Sequence, residues 1–217
     1  MKTRKIIILT VVCLLLVGIV GGSVYYATVP KVDEVYDRVV ELIEASYELN
    51  TVFYGAGLPV HKTDSAYAEF SHLYFNFQYK GDYEIVTEYA KFLSEEEIKL
   101  AAEKVYSKDY LENVLYNNAF VGYAIEDGAG GAAYASSRYL EDSEWIYQAV
   151  NENDNYLKGG MRIYDYSTMK IVAPSNSKVC YVSIESYLPD NPSVVMTDSL
   201  RLVKQDDGLW YLDSFTG

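Results

Sequence analysis

The sequence predicts an α+β fold: an N-terminal transmembrane helix, then a long amphipathic helix and two shorter helices packed on a curved antiparallel sheet that the C-terminal half mainly forms. Three observations indicate this fold class. An apolar helical period follows Pro30, a capping sequence opens a helix at Ser94, and alternating strands close the chain in a hairpin over residues 199–215.

Length and composition are typical of a folded chain with one sizeable core. Half of the 217 residues are hydrophobic and 23% are charged, which indicates a globular domain rather than a disordered or fibrous chain. The formal net charge is -13, with 31 acidic residues against 18 basic ones. Because proteins bind nucleic acid mainly through lysine and arginine at the phosphates, this balance excludes nucleic acid as an expected partner.

The N-terminus carries the clearest functional signal. A basic pentapeptide opens the chain, and an uncharged, mainly aliphatic run follows over residues 6–26. Such a run is long enough for a transmembrane helix, which needs about 20 residues, and the positive-inside rule keeps the basic tip in the cytoplasm. We therefore expect a cytoplasmic tip and membrane anchor over residues 1–30. A single extracytoplasmic domain follows over residues 31–217, so the protein would pass once through the cell membrane.

Two other interpretations of this segment stay open. A secretory signal peptide has an apolar core of about 7 to 15 residues before small residues at its cleavage site, and residues 21–23 or Ala27 would supply those. A lipoprotein would be acylated at Cys13, although Val12 is bulkier than the usual preceding residue. Cys180, the other cysteine, lies in a predicted strand and is expected to be a small core residue.

A long amphipathic helix is expected after Pro30. Apolar side chains recur at three- and four-residue steps from Val32 to Phe53, and acidic residues fill most positions between them. Pro30 suits a first helical turn, and Gly55 or Gly57 suits a left-handed cap after the last one. We interpret the apolar stripe as core.

The next segments contain a mixed pattern and two capped helices. Residues 61–87 are expected to begin as a short helix and to change to a strand near Tyr74. Ser94 and Glu97 form a capping box, in which the serine hydroxyl accepts from the amide three residues on and the glutamate reaches back. A second short helix is expected after Ser107. Its inward side chains are Leu111, Val114 and Leu115.

The rest of the chain is expected to be β structure and loops. Residues 120–125 suit a strand, and residues 127–131 and 151–155 suit flexible or polar breaks. Five strands then close the chain, over residues 161–166, 169–173, 178–187, 194–203 and 210–215.

The closing hairpin predicts a register as well as two strands. A two-residue loop would place Leu202 opposite Asp213, whereas a three-residue loop ending at Gly208 places Leu202 opposite Leu212. We predict the three-residue loop, because a type I turn with a bulge needs positive φ at its last residue and glycine adopts it without strain. The same register places Arg201 opposite Asp213.

This order of elements resembles a known fold. The helices, the capped helix at residues 94–106 and the closing Leu-Val-Lys-Gln-Asp-Asp-Gly-Leu-Trp-Tyr-Leu-Asp-Ser run are similar to the nuclear transport factor 2-like, or cystatin-like, α+β cone over most of residues 31–217. The resemblance implies a pocket between long helix and sheet, which some members use for catalysis and many for binding. The segments Asp82-Tyr-Glu-Ile-Val and Tyr106-Ser-x-x-Tyr110 are also similar to the secreted Gram-positive DL-endopeptidase inhibitor family, whose members block cell-wall hydrolases.

The sequence contains no complete catalytic or cofactor motif. His61 and His72 lack the spacing of a zinc site, and residues 128–131 lack the lysine and hydroxyl of a phosphate loop. Residues 151–162 begin like a calcium loop but lack its glycine and its bidentate glutamate. We therefore expect no catalytic residue, no metal and no cofactor.

Tyrosine is the unusual feature of the composition, with 23 residues against seven Phe and two Trp. Tyrosine fills cores with its hydroxyl at the edge, or forms a face that stacks on sugars and peptides. Core filling is the simpler interpretation. The candidates for a binding face are Tyr54, beside a Gly-Ala-Gly-Leu-Pro loop, and Tyr139 and Trp145 near Arg138, a cation among acidic residues.

Two classes of function are compatible with these patterns. The first is a membrane-anchored extracytoplasmic binding module of a bacterial cell envelope, which binds an envelope protein or a peptidoglycan-related component without catalysis. The alternative is a small pocket enzyme of the cone fold, similar to an isomerase or hydratase. A buried carboxylate facing an apolar cavity would favour the enzyme, and a filled cavity with an exposed aromatic patch would favour the module.

Overall fold

A computed structural model of the chain describes residues 29–61, 83–121, 124–126, 132–134, 137–149 and 162–217. The expected membrane anchor over residues 6–26 lies outside these ranges, as do most of the mixed segment at 61–87 and the loops at 127–131 and 151–155. Among the described residues, no helix has the length and apolar character needed to cross a membrane. The described elements form a mixed α+β fold with three helices and antiparallel sheets.

The long helix α1 spans Val32–Phe53, as the apolar period predicts. It begins two residues after Pro30, and the Lys31 N–H donates to the Glu34 carboxylate at 3.2 Å, so an acidic side chain closes the first turn. Of the two glycines expected to cap the helix, Gly57 takes the left-handed conformation, with φ 82°. The buried apolar residues of α1 are Val35, Val39, Leu42, Ile43, Leu49, Val52 and Phe53.

The second helix, α2, spans Glu95–Ala102 and has the predicted serine cap. The Ser94 hydroxyl accepts a hydrogen bond from the Glu97 N–H at 3.1 Å. The Glu97 carboxylate accepts from the Leu93 N–H at 2.7 Å, one residue before the donor that a capping box uses. The Ser94 hydroxyl therefore satisfies one of the N–H groups that a helix start leaves without a partner, and the Glu97 carboxylate holds the residue before the cap.

The third helix, α3, begins with Lys108–Tyr110 and continues as π-helical turns over Leu111–Leu115 and Asn117–Val121. The Ser107 hydroxyl caps it by accepting from the Tyr110 N–H at 3.2 Å. The strand predicted to start at residue 120 is therefore wrong at its beginning, and it starts instead at residue 124. Buried residues recur every four positions and keep the chain helical; they are Leu111, Leu115 and Ala119.

The strands form two antiparallel sheets and a separate hairpin. The four-stranded sheet contains, in chain order, β6 Ile163–Val172, β7 Val179–Leu188, β8 Asn191–Lys204 and β9 Trp210–Leu212. The three-stranded sheet has the order β1 Tyr83–Ile85, β5 Ile146–Ala149 and β4 Tyr139–Glu141. The hairpin pairs β2 Ala124–Glu126 with β3 Ala132–Tyr134.

Strand β6 replaces the two strands predicted over residues 161–173. A register shift against β7 lies between Asp165 and Lys170. The Asp165 carboxylate accepts from the Ser167 N–H at 3.0 Å, and the Thr168 hydroxyl donates to the Asp165 carbonyl at 2.7 Å. The expected break is therefore a bulge within one strand, because the residues on both sides of it pair with β7.

The closing hairpin has the predicted register. Leu202 pairs with Leu212, and Gly208 adopts φ 82°. The Gly208 N–H donates to the Gln205 carbonyl at 2.9 Å, which closes the three-residue loop. The turn chemistry was therefore sufficient to choose between the two registers.

A double-mutant cycle on Arg201 and Asp213 is expected to give a coupling free energy of about 0.2 to 1 kcal/mol. The two side chains form an ion pair across the hairpin, and Asp213 also accepts a hydrogen bond from the Ser107 hydroxyl. Asp213→Asn should therefore lower the free energy of unfolding more than Arg201→Gln. Urea unfolding of the single and double variants measures the coupling, and strictly additive losses would show that the pair contributes nothing.

One buried cluster joins α1, α2 and the four-stranded sheet. The sheet residues in it that are at most 1% exposed are Cys180, Val182, Ile184, Leu200, Leu202 and Leu212. Cys180 is therefore the small core residue that the sequence predicts, and burial raises the pKa of its thiol to about 11. These side chains fill the interface between α1 and the sheet.

The C-terminal residues belong to a buried polar network on α1. The Thr216 hydroxyl lies 2.5 Å from the Ser46 hydroxyl and accepts from the Asn50 amide at 2.8 Å. The Tyr106 hydroxyl donates to the Asn50 side-chain carbonyl at 2.7 Å. Because these buried groups satisfy one another, the chain leaves the sheet after β9 and turns toward α1.

Candidate functional site

A groove of about 570 Å³ separates α1 from α2. Its α1 side consists of Arg38, Glu41, Leu42, Ala45, Glu48 and Leu49. Its other side consists of Lys91, Phe92, Glu97, Leu100, Ala101, Lys104 and Val105. On α1 these residues recur at steps of three and four, so that side of the groove is one helix face. On the other side, Glu97, Leu100 and Ala101 belong to α2, and the remaining residues lie just before and just after this helix.

Two alanines account for the open space. Ala45 lies between Leu42 and Leu49 on the α1 face, and Ala101 follows Leu100 on the α2 face. A methyl group extends less far than the neighbouring leucine side chains, so the facing helices leave a gap above buried residues. The floor consists of Leu42, Leu49, Phe92 and Val105, which are 1 to 6% exposed.

Charged side chains form the rim of the groove. Its members are Arg38, Glu41, Glu48, Lys91, Glu97 and Lys104. Arg38 pairs with Glu41 at 2.9 Å, and Lys91 pairs with Glu48. Three cations thus balance three carboxylates, and the groove is locally neutral on a chain of formal net charge -13.

Arg38 connects the rim to the sheet. Its Nε donates to the Trp210 carbonyl at 3.0 Å, and its Nη2 donates to the Lys104 carbonyl at 3.1 Å. Its guanidinium carbon also lies 5.4 Å from the centre of the Tyr211 ring. Because several partners hold the planar guanidinium, this rim cation is positioned before any ligand arrives.

Two of the sequence-predicted binding residues lie in the interior. Tyr139 is fully buried and Arg138 is 5% exposed. The Tyr139 hydroxyl donates to the Val52 carbonyl at 2.8 Å, and the Arg138 Nη2 donates to the Gly55 carbonyl at 2.5 Å. Both side chains satisfy carbonyls at the end of α1, where the arginine charge also complements the helix dipole. Their contacts position the loop after α1.

The other two predicted binding residues lie apart from each other. The Tyr54 ring packs edge-on against Phe215 with centroids 4.7 Å apart, so Tyr54 joins Arg138 and Tyr139 near the end of α1. Trp145 lies in the turn between β4 and β5 and is 44% exposed. The structure therefore groups three of the four residues and separates Trp145.

The described carboxyl groups with shifted pKa values are shifted downward. Burial raises the pKa of Asp142, but hydrogen bonds from the Tyr147 hydroxyl and from two backbone N–H groups outweigh burial and leave this pKa below its usual value. A hydrogen bond from the Tyr211 hydroxyl lowers the pKa of Asp207. A carboxylic general acid at neutral pH needs the opposite shift.

A second polar cluster lies where β6, β7 and β8 meet. The Arg162 Nε donates to the Ser186 hydroxyl oxygen at 2.6 Å and lies 3.3 Å from the Asp198 carboxylate. Asp198 also accepts from the Ser186 hydroxyl. This half-buried carboxylate is therefore paired with a cation and a hydroxyl. In the ranges that the structure describes, no three His, Cys, Asp or Glu side chains are grouped as metal ligands.

None of the four sequence-predicted binding residues lines the groove. The only sequence signal for the groove is a small residue within each helical stripe, Ala45 in α1 and Ala101 in α2. This signal indicates a groove only once it is known that the two helices face each other. Compared with known proteins, the chain matches no family model, no curated protein and no solved structure.

Proposed function

We propose that this chain is a membrane-anchored extracytoplasmic binding module of a cell envelope, and that the groove between α1 and α2 receives its ligand without catalysis. The observation that carries the proposal is the groove itself, with an apolar floor between two charged edges. Its volume of about 570 Å³ is within the range of ligand-binding clefts. A groove between two helix faces also suits the apolar side chains of a protein segment.

The charge of the rim indicates the kind of ligand. The strongly acidic chain repels anionic polymers in general, but the balanced rim removes that repulsion locally. Uncharged or mixed-charge ligands therefore fit best. A protein segment with apolar side chains between charged ones meets this description, as does an uncharged part of a peptidoglycan-related component.

The rim carboxylates favour binding over catalysis. Glu41 and Glu48 each pair with a cation, and Glu97 accepts a backbone N–H. A pocket enzyme would need a buried carboxylate that has apolar surroundings and is free to take up a proton. The half-buried Asp198 does not meet this description, because Arg162 and Ser186 both contact its carboxylate.

Filling the groove is expected to abolish binding and to leave folding intact. Ala45→Tyr places a ring in the gap from an exposed helical position, and Asp37→Tyr places the same ring on an exposed α1 position that does not line the groove. With a photo-crosslinking amino acid in place of Leu100, we expect an adduct with an envelope protein or with isolated cell-wall sacculi. Ala45→Tyr should reduce the adduct by about tenfold, which corresponds to about 1.4 kcal/mol of binding free energy, and Asp37→Tyr should not.

A crosslinker in place of Leu209, which is equally exposed but does not line the groove, is the control for surface reactivity. Equal adducts from positions 100 and 209 would contradict the proposal, as would an adduct that Ala45→Tyr leaves unchanged. Turnover of a supplied isomerase or hydratase substrate that Asp198→Asn abolishes would support the enzyme instead.

The proposed topology gives a separate expectation. A C-terminal tag should be digested when protease is added to intact protoplasts, because the basic N-terminal tip stays inside the cell. A cytoplasmic marker protein in the same sample controls for lysis. Full protection of the tag would rule out an extracytoplasmic domain.

A further inference from the structure

The outer edge of β8 is paired over only part of its length. Strand β7 covers one side of β8 from Asn191 to Val203. On the other side, β9 pairs with residues 202–204, and the Asp213 N–H donates to the Arg201 carbonyl at 2.7 Å. Before Arg201, the described part of the chain places no strand on this side of β8.

The C-terminus explains why β9 stops so early. The Arg201 N–H donates to the Ser214 hydroxyl oxygen at 3.0 Å, so the residue after Asp213 still contacts this edge. Two residues later Thr216 is fully buried against Ser46 and Asn50 on α1. The chain therefore leaves the sheet while most of β8 still extends beyond it.

The register identifies the backbone groups that face the open edge. Arg201 directs its N–H and its carbonyl toward the β9 side, and this direction alternates along an antiparallel strand. The β7–β8 pairing has no register shift from Val203 to Val195. The residues that direct both backbone groups to the open edge are therefore Val195, Thr197 and Ser199, and all three are exposed.

Apolar side chains flank these backbone groups. Val194, Val195 and Met196 are 52 to 53% exposed. Successive side chains point to opposite faces of a strand, so both faces of the sheet are apolar at this edge. Exposed strand edges with apolar side chains are sites at which an extended chain adds to a sheet.

We propose that the β8 edge from Val195 to Ser199 binds an extended apolar and basic segment of a partner protein, which adds to the four-stranded sheet beside β8 and in line with β9. This surface is separate from the groove between α1 and α2. It provides a second kind of recognition, in which backbone hydrogen bonds supply affinity and alternate side chains supply specificity.

Charge favours such a segment over a second copy of this chain. Glu185 on β7 pairs directly with Thr197 on β8, which places one exposed carboxylate a single strand away from the open edge. A lysine or arginine on the added strand can extend across β8 toward this carboxylate, whereas two chains of formal net charge -13 repel each other.

Thr197→Pro and Thr197→Val form the matched test. Proline removes the outward N–H of residue 197 but keeps the hydrogen bonds that neighbouring residues make to β7, and edge strands tolerate proline at such a position. Valine keeps the N–H. The probe is a fluorescent peptide of alternating valine and lysine, added to the full chain in detergent and followed by fluorescence anisotropy. We expect binding to the unchanged chain and to Thr197→Val, and binding about tenfold weaker to Thr197→Pro.

The same peptide with alternate amides N-methylated is expected to show no binding. Equal binding of the two peptides, equal binding by Thr197→Pro, or no binding to the unchanged chain would overturn the proposal. So would a dimer that Thr197→Pro dissociates in sedimentation, because a second copy would then occupy the edge. Ala45→Tyr should bind the peptide normally, which separates this outcome from that of the groove.

Discussion

Replacing Gly57 with alanine is expected to lower the free energy of unfolding by about 2 to 5 kcal/mol. Gly57 has φ 82°, a conformation that strains any residue with a Cβ atom. An added Cβ would also overlap the Gln148 side chain. That side chain accepts from the Leu58 N–H at 2.6 Å and donates to the Ala56 carbonyl at 3.2 Å, so displacing it leaves buried polar groups without partners.

Gly208→Ala is the matched control for this prediction. Gly208 has the same φ of 82°, but no atom lies within 4 Å of an added Cβ atom. It should therefore show the conformational cost alone, about 1 kcal/mol. Urea unfolding followed by circular dichroism measures both variants. Equal losses would show that the contact with Gln148 adds nothing to the cost at Gly57.

Trp210→Ala is expected to lower the free energy of unfolding by about 3 to 5 kcal/mol. Trp210 begins β9, is 8% exposed and belongs to the cluster that joins α1 to the sheet. Its loss removes a large apolar surface from the core and leaves a cavity that the strand cannot close, because the Leu202–Leu212 pair holds β9 in place. Thermal unfolding and urea unfolding should agree on the loss.

Trp145→Ala provides the comparison, since Trp145 is the other tryptophan and is 44% exposed. Its loss should change the free energy of unfolding by no more than about 0.5 kcal/mol, the usual range for surface substitutions. Iodide should quench the fluorescence of the exposed Trp145, whereas the fluorescence of the buried Trp210 should be protected from quenching. A larger loss for Trp145 than for Trp210 would contradict the assigned core.

Local sequence patterns were sufficient to predict the helices and turns that neighbouring residues determine. The three- and four-residue period predicted α1, Ser94 predicted the start of α2, and the Gly208 turn predicted the pairing of Leu202 with Leu212. Each of these signals acts within a few residues of chain. The strand expected from residue 120 was wrong, because the burial of Ala119 against other elements extends α3 past that point.

Burial of polar side chains could not be predicted in the same way. Arginine and tyrosine are common on exposed recognition faces, but Arg138 and Tyr139 are buried against the end of α1. Their partners, Gly55 and Val52, are more than 80 residues away in the chain. Only the folded chain shows that unpaired helix carbonyls need these donors.

The sequence by itself determined the α+β class, the long helix, the capped second helix and the register of the closing hairpin, because periodicity and turn chemistry are properties of neighbouring residues. The tertiary structure decided where ligands can approach. Ala45 and Ala101 form a groove only because α1 and α2 face each other. Among the described residues, β9 covers only the end of the β8 edge, because Thr216 is held in a buried network on α1. Both surfaces depend on contacts between distant parts of the chain, which no local pattern records.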